Sequence, residues 1–313
     1  MRVVVIGGTG HIGSFLVPML CADGHEVVVL SRGRRAPYVD HEAWRTVQQI
    51  SCDRPAEESA GTFGARVADL AADVIMDLTC FTPDSARQLV QALDGQQLVH
   101  TGSIWAYGRS LVVPVTEDSP KKPYGEYGVN KAAIEHYLLH DQQRLPATVL
   151  HPGHITGPGW VPINPAGNLD LGVYQSLITD GTAVLPDRGM ELLQHVHAED
   201  VAAIHLAAMR QPDQATGQSF NAVAEQSLTL RGYAELVAAQ YGHEPQLEFV
   251  PWSKFAEQIG EQNAAATADH IGRSPHCSMA KARQLLGFRP NHTAWQSVRE
   301  AIGWLVDDGR LRR

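Results

Sequence analysis

A tyrosine and a lysine four residues apart, Tyr127 and Lys131, are the pair in this sequence best suited to acid–base chemistry. They stand at the start of a predicted helix, where positions i and i+4 lie one turn apart on the same face. A lysine cation beside the phenol favours the phenolate, so we expect it to lower the pKa of Tyr127. Such a phenol can exchange a proton with an alcohol or a carbonyl group. The same spacing also occurs on solvated helix faces, so the elements around the pair decide its meaning.

Ser103 supplies a further polar group about twenty residues earlier. It follows a predicted fifth strand at residues 97–101, on the sheet edge where α/β folds bind ligands. From there its hydroxyl can donate a hydrogen bond to a substrate oxygen. Two neighbouring tyrosines, Tyr107 and Tyr124, have no lysine four residues later. We therefore predict that Tyr127 is the acid/base.

The N-terminal segment predicts a dinucleotide site. Residues 2–6 are a continuous, mostly β-branched apolar run, typical of a strand buried on both faces of a parallel sheet. A glycine-rich turn and a helical pattern over residues 12–21 follow. Backbone amides at such a helix N-terminus can approach a pyrophosphate closely where no side chain intervenes. The predicted cofactor-binding residues of this turn are Gly7, Thr9, Gly10, His11, Ile12 and Gly13.

The end of the second predicted strand, at residues 24–30, indicates which cofactor binds. An acid at this point would bind the ribose hydroxyls of NAD, whereas an arginine accommodates the 2′-phosphate of NADP. The sequence continues with Ser31, Arg32, Gly33 and Arg34, without an acid. We therefore predict NADP, with NAD as the alternative. Arg32 is the leading phosphate partner, and Ser31 and Arg34 are further candidates.

Further strands predict the fold class. A third strand near residues 47–51 leads to Asp53, which is a candidate acceptor for the adenine amino group or else a turn aspartate. A fourth strand at residues 72–79 ends in Thr79, another cofactor candidate. A helix then begins near Pro83, since proline suits a first turn. Alternating strands and helices predict a doubly wound parallel sheet of the Rossmann type, with ligands beyond the strand carboxyl ends.

Composition limits the class of protein. The chain has 313 residues, 44% of them hydrophobic and 19% charged, as in a globular protein of one large domain or two coupled lobes. No apolar run approaches the ~20 residues of a membrane span. Four widely spaced cysteines predict reduced thiols and a cytoplasmic location. A net charge of -9 argues against a general nucleic-acid surface. We expect a small-molecule substrate, without a nucleic-acid or membrane partner.

Together these segments resemble the extended short-chain dehydrogenase/reductase family, also called the NAD-dependent epimerase/dehydratase family. The family's glycine motif, adenine-side aspartate, serine and Y-x-x-x-K motif fall on the residues named above. Residues 151–159 look like its R-P-x-x-x-x-G-P-G segment, with His151 in place of the usual arginine. Residues 195–201 look like its H-V-x-D-V segment. Residues 278–290 resemble its terminal S-x-K-A-x-x-x-L-G-x-x-P helix.

The resemblance implies roles and a domain layout. Tyr127 is the general acid/base, Lys131 lowers its pKa and binds the nicotinamide ribose, and Ser103 bonds the substrate oxygen. Relatives often dimerise through a four-helix contact that includes the Tyr127 helix, so a homodimer is expected. The implied dinucleotide domain comprises residues 1–155 and about 194–224. The implied substrate lobe comprises about 156–193 and 225–313.

Two positions at which this sequence differs from the family pattern limit the possible reactions. Dehydratases and decarboxylases of the family carry an acid in the two positions after the serine, and 3,5-epimerases carry a cysteine at the second. This sequence has Ile104 and Trp105 there. We therefore predict an NADP(H)-dependent oxidoreductase acting on a secondary alcohol or ketone of a sugar-like or natural-product substrate. One alternative is a nucleotide-sugar 4-epimerase that retains its NAD(P). Another is a non-catalytic NADP-sensing or RNA-binding relative.

Few residues in the sequence indicate where the substrate binds. Trp105, His154 and Trp160 are candidate pocket walls. His195 and His197 alternate in a predicted strand, so both would project to one face as a metal pair could. The resemblance makes this segment a structural strand, and we predict no metal site.

Overall fold

The computed structural model describes residues 1–313, which form thirteen strands and thirteen α-helices. The strands are β1 (Arg2–Ile6), β2 (Glu26–Ser31), β3 (Gln48–Ser51), β4 (Val74–Asp77), β5 (Gln97–Thr101), β6 (Ala147–Pro152), β7 (His154–Thr156), β8 (Thr182–Pro186), β9 (Leu192–Leu193), β10 (His195–His197), β11 (Ser219–Ala222), β12 (Leu228–Thr229) and β13 (Gln246–Val250). The helices are α1 (His11–Ala22), α2 (Arg54–Ser59), α3 (Phe63–Ala68), α4 (Pro83–Ala92), α5 (Glu126–His136), α6 (Leu171–Thr179), α7 (Ala198–Arg210), α8 (Pro212–Ala215), α9 (Leu230–Gln240), α10 (Trp252–Ile259), α11 (Glu261–Ile271), α12 (Ala280–Leu286) and α13 (Ala294–Asp307). None of the helices combines the length and apolarity needed to cross a membrane.

Seven strands form one parallel sheet in the order β11-β6-β5-β4-β1-β2-β3. Strand β1 pairs with β2 on one side and with β4 on the other, so the strand order changes direction at β1. Ligands of such sheets bind in the crevice beyond the strand carboxyl ends at this point. Val3, Val4 and Val5 are fully buried, as a sheet covered on both faces requires. The predicted Rossmann-type sheet is confirmed.

Five sheet strands were predicted from the sequence, and β1, β2 and β4 contain apolar runs of three or four residues, whereas β3 is mostly polar. The structure places the second at Glu26–Ser31 and the fourth at Val74–Asp77, within two residues of the predicted bounds. The sequence analysis did not identify β6 and β11. Strand β11 contains buried polar residues, and its Asn221 accepts a hydrogen bond from the Tyr107 hydroxyl and donates to the Ser278 carbonyl. Tertiary partners of this kind are invisible in a hydrophobicity pattern.

The apolar core has separate parts on the two faces of the sheet. Leu16 of α1 and Val201 of α7 pack on one face, and Leu89 of α4 and Ile134 of α5 pack on the other. A third cluster combines residues from the segments 163–193 and 230–311. Within the segment predicted for the substrate lobe, α12 differs, because its buried residues pack into the sheet core beside β11.

Candidate active site

The glycine turn joins β1 to α1 with no room for side chains. A Cβ on Gly13 would lie 2.1 Å from the carbonyl oxygen of Gly8, so helix and turn touch there. Gly7 has a φ of +85°, and a Cβ on it would meet the Thr79 methyl group at 2.3 Å. These close approaches leave the helix N-terminus uncovered. Its unpaired N–H groups can therefore accept a pyrophosphate.

A cleft of about 1020 Å³ lies along the carboxyl ends of the strands. It brings together almost all the predicted cofactor and catalytic residues. Those that line it are Gly7, Thr9, Gly10, His11, Ile12, Gly13, Ser31, Arg32, Arg34, Thr79, Ser103, Tyr127 and Lys131.

Arginine side chains occupy the cleft beyond β2. Gly33 turns the chain with a φ of +64°, and Arg32 and Arg34 are exposed on either side of it. Arg34 lies 3.4 Å from Asp53, and both side chains are largely exposed. Asp53 is absent from the cleft lining, although its neighbours Cys52 and Arg54 belong to it, and binding of the adenine by Asp53 stays a prediction. Cationic side chains thus surround the cleft at the end of β2.

Ser103 and the Tyr127/Lys131 pair meet in this cleft. Ser103 follows β5, and its Oγ accepts a hydrogen bond from the Trp105 N–H at 3.2 Å, which leaves the hydroxyl proton available for donation. Tyr127 and Lys131 lie one turn apart on α5, and the lysine Nζ is 5.7 Å from the centre of the tyrosine ring. Tyr127 is 40% exposed, whereas Lys131 is 1% exposed.

The Lys131 ammonium is held by the backbone of two sheet connections. Its Nζ donates to the carbonyl of Thr101 at 2.6 Å and to that of Cys80 at 2.8 Å. Burial lowers the pKa of Lys131 to about 8. Burial of the phenol raises the pKa of Tyr127, and hydrogen bonding to Ser103 opposes that rise. The expected lowering of the Tyr127 pKa is wrong for this geometry, because burial of the phenol is the dominant cause of the shift.

The neighbouring tyrosines have structural contacts. The Tyr107 hydroxyl donates to the Asn221 side chain at 2.9 Å, and both groups are buried. The Tyr124 ring lies 4.0 Å from the Arg273 guanidinium. Tyr127 is the one of these three tyrosines that lines the cleft.

Trp105 and His154, two of the predicted substrate walls, are not among the residues that line the cleft, and their role stays a prediction. The Trp105 ring is 5.7 Å from that of Tyr127 and packs edge-on against it. The Arg273 guanidinium covers Trp105 at 3.7 Å. His270 contacts both Trp105 and His154 at ring distances of 5.6 and 5.7 Å. His154 is buried with neither ring nitrogen hydrogen-bonded, and burial holds its pKa well below the usual value.

Trp160 lies elsewhere, against the glycine turn. Its ring stacks on that of His11 at 5.1 Å with an angle of 9° between the planes. Tyr38 packs edge-on against both rings. Trp160 lines the cleft beside the glycine turn, and its role as a substrate wall stays a prediction.

The alternating histidines of β10 are engaged in the fold. His195 Nε2 lies 3.1 Å from the Ile163 carbonyl. His197 Nδ1 accepts from the Glu199 N–H at 3.1 Å, and the ring stacks on His292 at 4.1 Å. His197, Glu199 and His292 are close enough to share a metal ion. However, the bond to Nδ1 places the ring proton on Nε2, where a metal would have to replace it. We assign no metal to this cluster.

Sequence reasoning missed Arg54, which is buried and lines the cleft. Its guanidinium bonds Asp77 at 2.7 Å and Glu58 at 2.6 Å, and it stacks over Phe63. One guanidinium nitrogen, Nη2, is buried without a partner. An aspartate at the end of a buried strand was the available signal, since such an acid needs a cation.

Comparisons with known proteins agree with this geometry. The sequence model of the NAD dependent epimerase/dehydratase family matches residues 3–222. The chain is 29% identical to the 2'-dehydrokanamycin reductase of Streptomyces kanamyceticus, over 99% of this chain and 86% of that protein. It is 23% identical to the chloroplast stem-loop binding protein of 41 kDa b of Arabidopsis thaliana, over 100% of this chain and 81% of that protein. A solved UDP-glucose 4-epimerase from Thermotoga maritima has the same fold, with a TM-score of 0.74, 19% identity, and coverage of 98% of this chain and 99% of that one.

The contact between Gly13 and Gly8 gives a direct test of the turn. Gly13→Ala is expected to weaken NADPH binding at least about tenfold, which corresponds to about 1.4 kcal/mol, because the new Cβ forces the turn and the helix apart. Binding is measured by NADPH fluorescence. Gly303→Ala is the control, since a Cβ at this helical position meets open space. An unchanged Kd in Gly13→Ala would contradict the assignment of the turn.

The Lys131 pKa of about 8 predicts a pH dependence of cofactor binding. The ammonium is charged below that pH and becomes neutral above it, so NADPH affinity should fall as pH rises from 7 to 9. The limit is about tenfold per pH unit for loss of one proton. Lys131→Met should remove the dependence and bind weakly throughout. A flat affinity profile in the wild type would refute the role given to the ammonium.

Proposed function

The chain belongs to the NAD-dependent epimerase/dehydratase family, and from that premise we propose that it is an NADP(H)-dependent reductase of a ketone on a sugar-like substrate. The observation that carries this proposal is the convergence of Ser103, Tyr127 and Lys131 in one cleft with the arginines beyond β2. Family membership makes the chain an NAD(P)-binding enzyme of the dehydrogenase, reductase or epimerase type. The choice of NADP and of reduction is our own.

The residues of the cleft fit a nicotinamide dinucleotide. The turn at Gly7 and Gly13 admits backbone approach but no Cβ, and Arg32 and Arg34 offer charge to a 2′-phosphate. When bound, the nicotinamide supplies a hydride to the substrate carbonyl carbon.

Two side chains of the protein then stabilise and protonate the substrate carbonyl oxygen, which gains negative charge on hydride transfer. The Ser103 hydroxyl donates a hydrogen bond to it, and Tyr127 gives it a proton. The raised pKa of Tyr127 keeps the phenol protonated, which is the form that a reduction requires. The positive charge of Lys131, 5.7 Å from the centre of the tyrosine ring, stabilises the phenolate left behind. In the oxidation direction these proton transfers are reversed.

The surroundings of Trp105 favour a substrate without a diphosphate. His154 and His270 have pKa values lowered by burial, so both rings are neutral. Arg273 is enclosed by Trp105 and Tyr124 and donates to the Tyr124 carbonyl, and the exposed Arg109 lies 5.5 Å from the centre of the Tyr124 ring. Charge-assisted hydrogen bonds from arginine or lysine are the strong contacts that a protein makes to a diphosphate. A ketone on an unactivated glycoside fits better, and the relative named 2'-dehydrokanamycin reductase supports this class.

A nucleotide-sugar 4-epimerase is the second candidate. The same serine, tyrosine and lysine would serve the oxidation and re-reduction of one sugar carbon. Relatives named UDP-glucose 4-epimerase, such as that of Corynebacterium glutamicum at 23% identity over 96% of this chain, support it. An epimerase converts UDP-glucose to UDP-galactose without net use of cofactor, whereas a reductase consumes NADPH in proportion to product.

Tyr127→Phe tests the proposed chemistry. Loss of the proton donor should lower kcat for NADPH-dependent ketone reduction at least about a hundredfold. NADPH affinity should change little, because the phenol ring remains. Tyr137→Phe, on the same helical segment but outside the cleft, should behave as wild type. Turnover of Tyr127→Phe within a few-fold of wild type would remove Tyr127 from the mechanism.

Arg32→Ala tests the choice of cofactor. Loss of a charge-assisted contact worth about 1.5–3 kcal/mol should weaken NADPH binding by about ten- to a hundredfold and leave NADH binding unchanged. Arg45→Ala removes an exposed arginine outside the cleft lining and should affect neither. Equal effects of Arg32→Ala on both cofactors would overturn the NADP assignment.

A further inference from the structure

A buried histidine outside the trio is bonded to the main chain of Ser103. His151, at the end of β6, is fully buried, and its Nδ1 accepts a hydrogen bond from the Ser103 N–H at 3.1 Å. The packing is close, because a Cβ on Gly102 would lie 2.6 Å from the same nitrogen. The imidazole therefore touches the chain directly at the serine that faces the substrate oxygen.

The acceptor role of Nδ1 fixes the rest of the ring. Because Nδ1 presents a lone pair, the ring proton lies on Nε2. That nitrogen is 3.2 Å from Oε1 of Glu135, which is 4% exposed. The same carboxyl oxygen lies 3.2 Å from Nζ of Lys121, and this cation favours the ionised form of Glu135. The Glu135 carboxylate thus faces the protonated nitrogen.

Glu135 lies on the same helix as the catalytic pair. Tyr127, Lys131 and Glu135 are spaced at i, i+4 and i+8 on α5, so they occupy one helix face. The helix that supplies the proton donor therefore also holds the ring that accepts the Ser103 N–H. Serine and tyrosine are linked through this contact as well as through the cofactor cleft.

We propose that His151 and Glu135 are positioning residues that hold the main chain of Ser103 in register with Tyr127. Glu135 fixes the ring orientation and its tautomer, and His151 holds the serine N–H. The inference rests on the catalytic role of Ser103 in the proposed function. An arginine, which the family resemblance places at this position, has no acceptor and could not bond the serine N–H. The hydrogen bond to the Ser103 N–H therefore depends on the histidine that this chain has at position 151.

Two variants of His151 separate the contacts. His151→Asn keeps an acceptor oxygen near the position of Nδ1, whereas His151→Gln keeps a donor near Nε2 and leaves the Ser103 N–H without an acceptor. We expect His151→Gln to lower kcat at least about tenfold, with KM and NADPH affinity nearly unchanged, and His151→Asn to retain most of kcat. Equal kcat in the two variants would show that the residue only fills the core.

A measurement without turnover completes the test. Nitrogen NMR of labelled histidine should report the Nε2–H tautomer for His151 in the wild type, and a mixture of tautomers in Glu135→Gln together with a reduced kcat. An Nδ1–H tautomer in the wild type would overturn the proposal. Thermal unfolding of each variant separates lost stability from lost positioning. If Tyr127→Phe leaves turnover intact, the proposed function fails, whereas the tautomer result stands on its own.

Discussion

The buried ammonium of Lys131 is the constraint on which the site depends. A cation removed from water must be hydrogen-bonded, and here its partners are the carbonyls of Thr101 and Cys80, beyond the ends of β5 and β4. These bonds fix α5 against the edge where the sheet binds its ligand. Tyr127 consequently faces the cleft and Ser103. The same burial lowers the pKa of Lys131 to about 8, which is close to neutral pH.

Local constraints made part of the site predictable. The glycine turn is readable because close backbone approach forbids a Cβ at Gly13 whatever the tertiary structure. The spacing of Tyr127 and Lys131 is equally local, since one helix turn determines it. The pKa of Tyr127, the position of Trp160 and the contact between Asp53 and Arg34 depend on distant segments. A pattern within one segment cannot predict interactions of this kind.

Most of the structural features that were not predicted from the sequence involve buried polar groups. Strand β11 was missed because Asn221 is satisfied by Tyr107 and the carbonyl of Ser278. Arg54, at the start of α2, was not predicted because its partner Asp77 lies on β4, which is distant in the sequence. Burial likewise lowers the pKa of His154, so that its ring is neutral. The protonation states of the residues around the site therefore depend on burial as much as on residue type.

The placement of three functional side chains on one face of α5 limits how this segment can change. Each residue of an α-helix advances by about 100°, so one inserted or deleted residue between Tyr127 and Glu135 would rotate the later members away from their partners. Substitutions at exposed positions such as Val129 leave that angular register intact. The nine residues therefore have a fixed length, while the exposed loop preceding them, around Leu111 and Val112, is free to vary in length.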